Sequence, residues 1–430
     1  MSTPIHLFQA FGVELEYMVV NRRSLDVMPI VDEVLKRAAT LPGADAYTDE
    51  DAEPGYPNEA ALGEISLSNE LVLHVLEMKT TRPAPTLEGV DRQFAQAVRT
   101  ADEVLAEFDA MLLPTGMHPW MDPMRETRVW PHDYSPVYNT FNRIFDCRGH
   151  GWSNLQAAHL NLPFHIDQDT PASEFGRLHA AIRVLLPFMP ALSASTPMMD
   201  GRLTGVMDNR LEVYRTNSAK VPQAAGLVIP EPVFTKAEYE TKILGEIYKA
   251  YAPHDPEGIL KHEWANSRGA IARFMRDTIE VRVLDVQECP KADGAIVSAI
   301  TSVVRGLVEG RIGDLEALKR REVGPLHAQL LATIRDAERA EVLDVSLAKE
   351  LGWRGSGPPT LPELWQSLVE ASLPAGPRPA WYSPLMIILG EGSLARRITK
   401  AVGVSASRSQ VHDVYAHLAA CLHDNEMFRG

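Results

Sequence analysis

Residues 8–21 read FQAFGVELEYMVVN, and how this stretch is read decides the fold. Val13, Leu15 and Tyr17 alternate with Gly12, Glu14, Glu16 and Met18. A two-residue repeat is the mark of a strand with one buried face. Side chains two apart on a strand share a face, so Glu14 and Glu16 stand side by side. Two carboxylates about 4 Å apart repel by roughly 4 kcal/mol at an effective dielectric of 20. On a solvated face that repulsion is screened and means little. Flanked by Phe11, Val13, Leu15 and Tyr17, the pair falls in a half-buried sheet, where it needs a cation.

Outward from this strand, residues 29–40 predict a short helix, with Ile30, Val34 and Leu35 on one stripe and Pro42-Gly43 as its stop. Residues 46–59 are acidic and carry Pro and Gly, which predicts a loop. Residues 62–82 predict strands broken by a turn near Ser68-Asn69. A helix follows Pro85, with Leu87, Val90, Phe94, Val98, Ala101, Leu105 and Phe108 at steps of three and four and Thr86 as its N-cap. Residues 111–115 predict a strand that ends in GMHPW. The aromatic, Pro- and Arg-rich stretch 119–151 predicts a long structured loop over or beside a site. A strand is expected at 154–163, a helix at 173–192 bent by Pro187 and Pro190, and a loop at 200–235 bearing Arg202, Arg210, Arg215 and Lys220. Residues 239–251 predict a helix and 278–286 the last strand. From about Ala295 the pattern is helical, with breaks at 355–362 and 374–384. Strands without regular βαβ spacing argue against a doubly wound parallel sheet. Neither GxGxxG after a strand nor GxxxxGK[ST] occurs, so no Rossmann or P-loop nucleotide site is signalled.

Other chemistry-bearing residues lie on these predicted strands. Glu70 and Glu77 stand in NELVLHVLEMKTTRP, with a salt bridge to Lys79 or Arg82 as the plainer reading of Glu77. His159 stands in LQAAHLNLPF, where a satisfied core histidine is the common case. Glu280 and Arg282 share a face in TIEVRVLD, either as an ion pair or as a metal-binding carboxylate beside a phosphate-binding guanidinium. Together these are five carboxylates and one histidine that could line one sheet face. Oxygen-rich sets with few nitrogens suit hard cations such as Mg²⁺ or Mn²⁺, and such ions beside arginine fit phosphoryl transfer from a nucleotide.

Composition narrows the class. The chain has 430 residues, of which 45% are hydrophobic and 23% charged, enough to bury a large core. A net charge of -15 repels phosphate backbones and speaks against a broad nucleic-acid interface. Cys147, Cys289 and Cys421 are scattered and odd in number, so neither a disulfide framework nor a structural zinc site is expected. The N-terminal stretch has no basic segment, so no signal peptide is expected; no apolar run is long enough for a membrane span, and a reducing cytoplasm is the default.

On these residues the chain resembles the glutamate–cysteine ligase type 2 family of carboxylate–amine ligases. The resemblance runs through GVELE, an acidic residue seven before the Glu of HVLEMKT, GMHP, an HxH-like strand, ALSASTP, an arginine nine residues after Gly201, EVRVLD and the C-terminal VYAHLAACLHDNEMF. It implies an α+β fold of the glutamine synthetase and guanido kinase kind: a curved, mainly antiparallel sheet forming a funnel, with helices outside. It implies that Glu14, Glu16, Glu70, Glu77, His159 and Glu280 hold divalent metal, Mg²⁺ or Mn²⁺. Arg282 and Arg210 would face the phosphates of ATP as catalytic and nucleotide-binding groups, with Lys220 as a further nucleotide contact. The implied reaction joins a carboxylate, the γ-carboxyl of glutamate, to an amine through an acyl phosphate. Small molecules are then the partners, with no nucleic acid and no membrane, and a homo-oligomer stays open. Two departures stand out: the family's HxHxG strand here reads His159-Leu160-Asn161-Leu162-Pro163, and the 119–151 loop is distinctive; both put cysteine in question as the amine and leave other amino acids, small amines or a peptide open.

The expected organisation is a catalytic sheet domain over 1–295 and a mainly helical portion, 296–430, packed on it. Two other readings compete: a phosphotransferase on the same broad fold, and a non-catalytic ATP- or metal-binding protein. Amine-dependent release of ADP and phosphate separates ligation from the first. The retained acidic positions and Arg282 weigh against the second, since so many like charges in one site are costly to fold.

Overall fold

The two-residue alternation does form the central strand, β1 (Gly12–Asn21). The computed structural model describes residues 4–47, 55–132 and 134–430. In chain order the other strands are β2 (Asp45–Tyr47), β3 (Glu59–Leu62), β4 (Ile65–Asn69), β5 (Val75–Thr80), β6 (Ala110–Leu113), β7 (Ala157–Pro163), the short hairpin β8 (Met198–Met199) and β9 (Arg202–Leu203), β10 (Ala270–Arg273) and β11 (Thr278–Asp285). Apart from β8 and β9 they form one sheet of order β10-β11-β7-β1-β5-β4-β3-β2, with β6 on the far end of β1. Every pairing in it is antiparallel. The sheet is open, with β10 and β2 at its edges.

The sheet has one apolar and one polar face. Val13, Leu15 and Tyr17 of β1 are buried, as are Leu67, Leu76, Met78, Leu160, Leu162, Ile279 and Val281 of its neighbours. They pack on helices Val90–Ala106 and Pro290–Val308, through Val90, Phe94 and Val297 against Val13 and Leu15. Full burial of each such side chain stabilises by about 1.5–3 kcal/mol, so this layer holds the sheet flat side down on its helices. The same core takes in side chains from Phe11 to Leu422, so the helices beyond residue 290 share it with the sheet. A smaller core joins Met18, Val20 and Leu113 to Tyr415 and Leu418 of the last long helix, Arg408–Asp424. No described helix is long and apolar enough to cross a membrane.

Several expectations shift in detail. Residues 46–59 are not all loop: β2 and β3 pair across them, and residues 48–54 lie outside the described residues. The helix after Pro85 begins later than Thr86. Gly89, at φ 84°, is its N-cap, while the Thr86 hydroxyl accepts from the Glu88 N–H (3.1 Å). A left-handed turn of this kind favours glycine, which is why the helix waits for it. The 119–151 stretch holds three helices, Pro123–Glu126, Ser135–Phe145 and His150–Ser153. Residues 200–235 contain helix Asn209–Asn217, capped by Asp208. The bend at Pro187 and Pro190 is present as a 3-10 turn, Leu186–Phe188, followed by Pro190–Ser193.

Candidate active site

Antiparallel register decides which side chains meet on the polar face. Directly paired residues share a face, so three rows can be read across the sheet. The first runs Glu59, Ser68, Glu77 and Glu16 through β3, β4, β5 and β1. The second runs Ser66, Lys79, Glu14 and His159 through β4, β5, β1 and β7. The third runs Gly12, Asn161 and Glu280 through β1, β7 and β11. Gly12 is required there, since a Cβ would lie 2.9 Å from that of Asn161. Glu70 joins from segment 70–74, which links β4 to β5.

These rows, with Glu70, bring possible ligand atoms together in two sets. One ligand atom each from Glu14, Glu77 and His159 lie within 4.8 Å of one another, and so do those from Glu16, Glu70 and Glu77. Glu77 belongs to both. His159 Nδ1 lies 2.9 Å from Glu14, and its Nε2 lies 3.8 Å from Glu16. Asn161 Nδ2 donates to the other oxygen of Glu14 (3.1 Å). The Ser68 hydroxyl donates to Glu77 (2.7 Å), and the Ala157 N–H to Glu16 (2.7 Å).

Electrostatics sets the two groups apart. Burial would raise the Glu14 carboxyl, but the hydrogen bond and charge of His159, with Lys79 and Arg273, pull it down to about 2. Burial likewise works against charge on His159, yet Glu14 and Glu16 raise it above the ordinary imidazole value. Burial raises Glu16, with Glu77 adding repulsion against the pull of His159. Glu70 is pushed well above the usual carboxylate range by burial and then by Glu16 and Glu77. The Glu16–Glu70–Glu77 set is thus short of positive charge, the condition a divalent cation relieves. Carboxylate oxygens with one imidazole fit Mg²⁺ or Mn²⁺ by ligand type.

The remaining expected residues fall differently. Glu280 joins neither set: it is paired with Arg273 (2.7 Å) and, more loosely, with Arg282 (3.4 Å), the ion pair that the sequence also allowed. Arg282 sits at a bulge, where the β11–β7 register shifts between Val281 and Leu284. It is half-buried; burial works to lower its pKa, but Tyr214, Glu280, Glu16 and Glu70 outweigh this and raise it, so its charge is held. Arg210 is buried, and its Nε donates to Asp285 (2.5 Å). Lys220 is not brought to this group; its Nζ donates to the Ile144 carbonyl (2.5 Å), because the 218–222 turn lies against the Ser135–Phe145 helix. The 119–151 stretch does lie beside the site: Tyr138 accepts from Asn69 Nδ2 (3.2 Å), and its hydroxyl pKa is raised by burial and by Glu70.

Three contributors were not singled out from the sequence as site residues. Lys79 bridges Glu59 (3.0 Å) and Glu77 (3.4 Å), and its place two residues after Glu77 on one strand was the available signal. Arg273 comes from β10, a strand of four residues that carries too short a pattern to detect. Asp285 closes EVRVLD, and nothing in its local pattern marks it.

Known proteins resemble this chain in sequence and in fold. The sequence pattern of the Glutamate-cysteine ligase family 2 matches residues 10–352. An uncharacterised protein of Archaeoglobus fulgidus is 31% identical over 97% of this chain and 99% of its own length. A protein of Bradyrhizobium diazoefficiens assigned as a glutamate–cysteine ligase 2 is 25% identical over 84% of this chain and 71% of its own. Among solved structures, the bifunctional glutathione synthetase of Pasteurella multocida superposes with a TM-score of 0.60 at 14% identity, over 97% of this chain and 53% of that one. The glutamate–cysteine ligase of Francisella tularensis in complex with AMP gives 0.55 at 11% identity, over 96% and 88%. At such identities the likeness is one of fold: helices and an antiparallel sheet.

Proposed function

The chain belongs to the glutamate–cysteine ligase family 2, and on that premise we propose that it is an ATP-dependent ligase joining the γ-carboxyl of glutamate to the amine of a second small molecule. The observation that carries this reading is the pair of carboxylate sets sharing Glu77, with Arg282 beside them on the same sheet face.

A carboxylate is a poor electrophile. In the proposed reaction its oxygen takes the γ-phosphoryl group of ATP, giving an acyl phosphate and ADP. The amine nitrogen then attacks the acyl carbon, phosphate leaves, and the nitrogen gives up a proton. Glu16, Glu70 and Glu77, with Glu14 and His159, would hold divalent ions; such ions neutralise triphosphate charge and orient the groups for in-line transfer. Arg282 and Arg210 supply fixed positive charge at the transferring phosphoryl group. His159 keeps Glu14 ionised, so that carboxylate remains a ligand rather than an acid. The buried floor beneath the face, Val13, Leu15 and Leu160, holds these side chains in place.

Phosphate release from ATP and Mg²⁺ with glutamate, across a panel of amino acids and amines with product masses recorded, tests the reading. A γ-glutamyl product with one amine supports it and names the acceptor. A phosphorylated acceptor without an amide would transfer the assignment to a phosphotransferase. No release with any pair would defeat glutamate as the acid.

A further inference from the structure

Two sequence motifs without an assigned task, GMHP and ALSASTP, converge on one carboxylate in a third, EVRVLD. Asp285, the last residue of β11, is buried. Its Oδ2 accepts from the Ser195 N–H (2.8 Å) and from the Thr196 hydroxyl (3.0 Å), both in ALSASTP. Gly116 of GMHP packs on its other side: a Cβ there would lie 2.7 Å from Asp285 Cγ and 3.0 Å from Thr196 Cγ2. The Gly116 N–H in turn donates to Ser195 Oγ (2.8 Å), whose hydroxyl reaches the Val286 carbonyl (3.0 Å). Asp285 Oδ1 is left for one partner, Arg210 Nε (2.5 Å).

The same small group also fixes the backbone that carries Arg210. Thr196 Oγ1 accepts from the Arg210 N–H (3.2 Å), and the Thr196 carbonyl accepts from Asn209 Nδ2 (2.7 Å). Asp208 caps the helix start by accepting from the Leu211 N–H (2.8 Å). At its far end the guanidinium donates from Nη2 to the Arg282 carbonyl (3.2 Å), at the β11 bulge. Arg210 is therefore held at backbone, at Nε and at Nη2, and the last of these holds is to Arg282 itself.

We infer that Asp285 is a positioning residue that locks Arg210 to the Arg282 bulge, so that the two arginines meet the triphosphate as one rigid unit. A mobile arginine loses side-chain entropy when it binds phosphate; one already clamped does not. Thr196 and Ser195 set the carboxylate, the carboxylate sets Nε, and the planar guanidinium carries that orientation to Nη2. A lysine at 210 would keep the charge and lose both directed contacts.

This rests on reading Arg210 as a phosphate-facing group, so the test separates the two claims. Calorimetry measures Mg²⁺ with a β,γ-imido analogue of ATP, and AMP in parallel, for wild type, Asp285→Asn, Arg210→Ala and the double variant. Asp285→Asn is expected to weaken the triphosphate analogue about tenfold, the loss of one charge-assisted hydrogen bond, and to leave AMP unchanged. Arg210→Ala is expected to weaken it at least as much, and adding Asp285→Asn to it should cost nothing more. If Arg210→Ala leaves triphosphate affinity intact, the phosphate-facing reading fails. If Arg210→Ala weakens it but Asp285→Asn does not, or the two losses simply add, or AMP weakens in step, Asp285 is structural and the inference is overturned. Thr196→Val, which at constant shape removes the hydroxyl that donates to Asp285 and accepts from the Arg210 N–H, is a milder second probe of the same clamp should Asp285→Asn not fold. It should show the same triphosphate-only loss, and an effect equal on both nucleotides would count against the inference.

Discussion

Glu77 carries more than any other side chain on the polar face, because both carboxylate sets depend on it. Glu77→Gln keeps the volume and the Ser68 contact but removes the shared charge. We expect phosphate release to fall by on the order of a thousandfold while the melting temperature holds or rises, since like charges are being thinned in a buried site. Turnover near that of the wild type would remove Glu77 from the assignment. Arg282→Ala should cost about 100-fold or more in turnover without unfolding the chain, the scale of losing one fixed transition-state charge. Glu14 and Glu16 were legible in the sequence as a pair because i and i+2 on a strand need no tertiary information, whereas Glu70, off the strands, was reached through the motif it shares with Glu77. Their counter-charges were less so: Arg273 sits on a four-residue strand, and Lys220, chosen as a cation on a predicted loop, spends its charge on the Ile144 carbonyl. A basic residue on a loop reveals its sign, not its direction.

The β11 bulge shows what strand patterns convey and what they miss. Alternation in TIEVRVLD announced the strand, yet the extra residue between Val281 and Leu284 leaves no trace in a run where apolar residues fill nearly every second place. The bulge is held from outside: the Arg282 N–H donates to the Gly269 carbonyl (2.8 Å), and Gly269 packs so closely that a Cβ would lie 2.5 Å from Val283 Cγ1. Bulges re-aim side chains, and this one sets where Arg282 points. Gly269→Ala must therefore push β11 outward. We expect a loss of about 1–3 kcal/mol in urea unfolding together with a larger fall in triphosphate affinity than in AMP affinity. Unchanged stability and affinity would mean that the bulge does not depend on this contact. Helix Asn209–Asn217 was unreadable for a related reason. Its buried residues are Asn209, Arg210, Leu211 and Tyr214, so polar groups that serve the site replace the apolar stripe by which a helix is recognised. Departures from simple periodicity here coincide with the proposed site, as expected where local rules yield to a site.

At the scale of the whole molecule, buried histidines outside the site make stability fall in acid. Burial holds His118 and His74 down to about 4. The His118 contacts suit only the neutral ring: Nε2 lies 2.7 Å from the Leu25 carbonyl, and Nδ1 accepts from the Trp120 N–H (3.3 Å). A second proton would set two N–H groups face to face. His74 Nε2 is satisfied by the Ser153 carbonyl (2.7 Å), but its buried Nδ1 has no partner. In the unfolded chain both rings titrate near the ordinary value of about 6.5, so between there and about 4 the unfolded state binds more protons. Stability then falls as pH drops through this window, by up to about 1.4 kcal/mol per pH unit for each ring, and the loss levels off below it. Glu70 acts with the opposite sign. Its carboxyl is raised in the folded chain, so what it contributes is present at low pH and is lost as pH rises through its folded value. The net slope mixes both, and the informative quantity is the difference between chains. His118→Gln removes one titrating ring and leaves Glu70 in place. Urea unfolding at pH 7, 5.5 and 4.5 should show the variant less stable than wild type at pH 7 and losing less on acidification, so that the gap narrows by about 2 kcal/mol or more. A gap that stays constant across the three pH values would mean that His118 does not couple folding to protons.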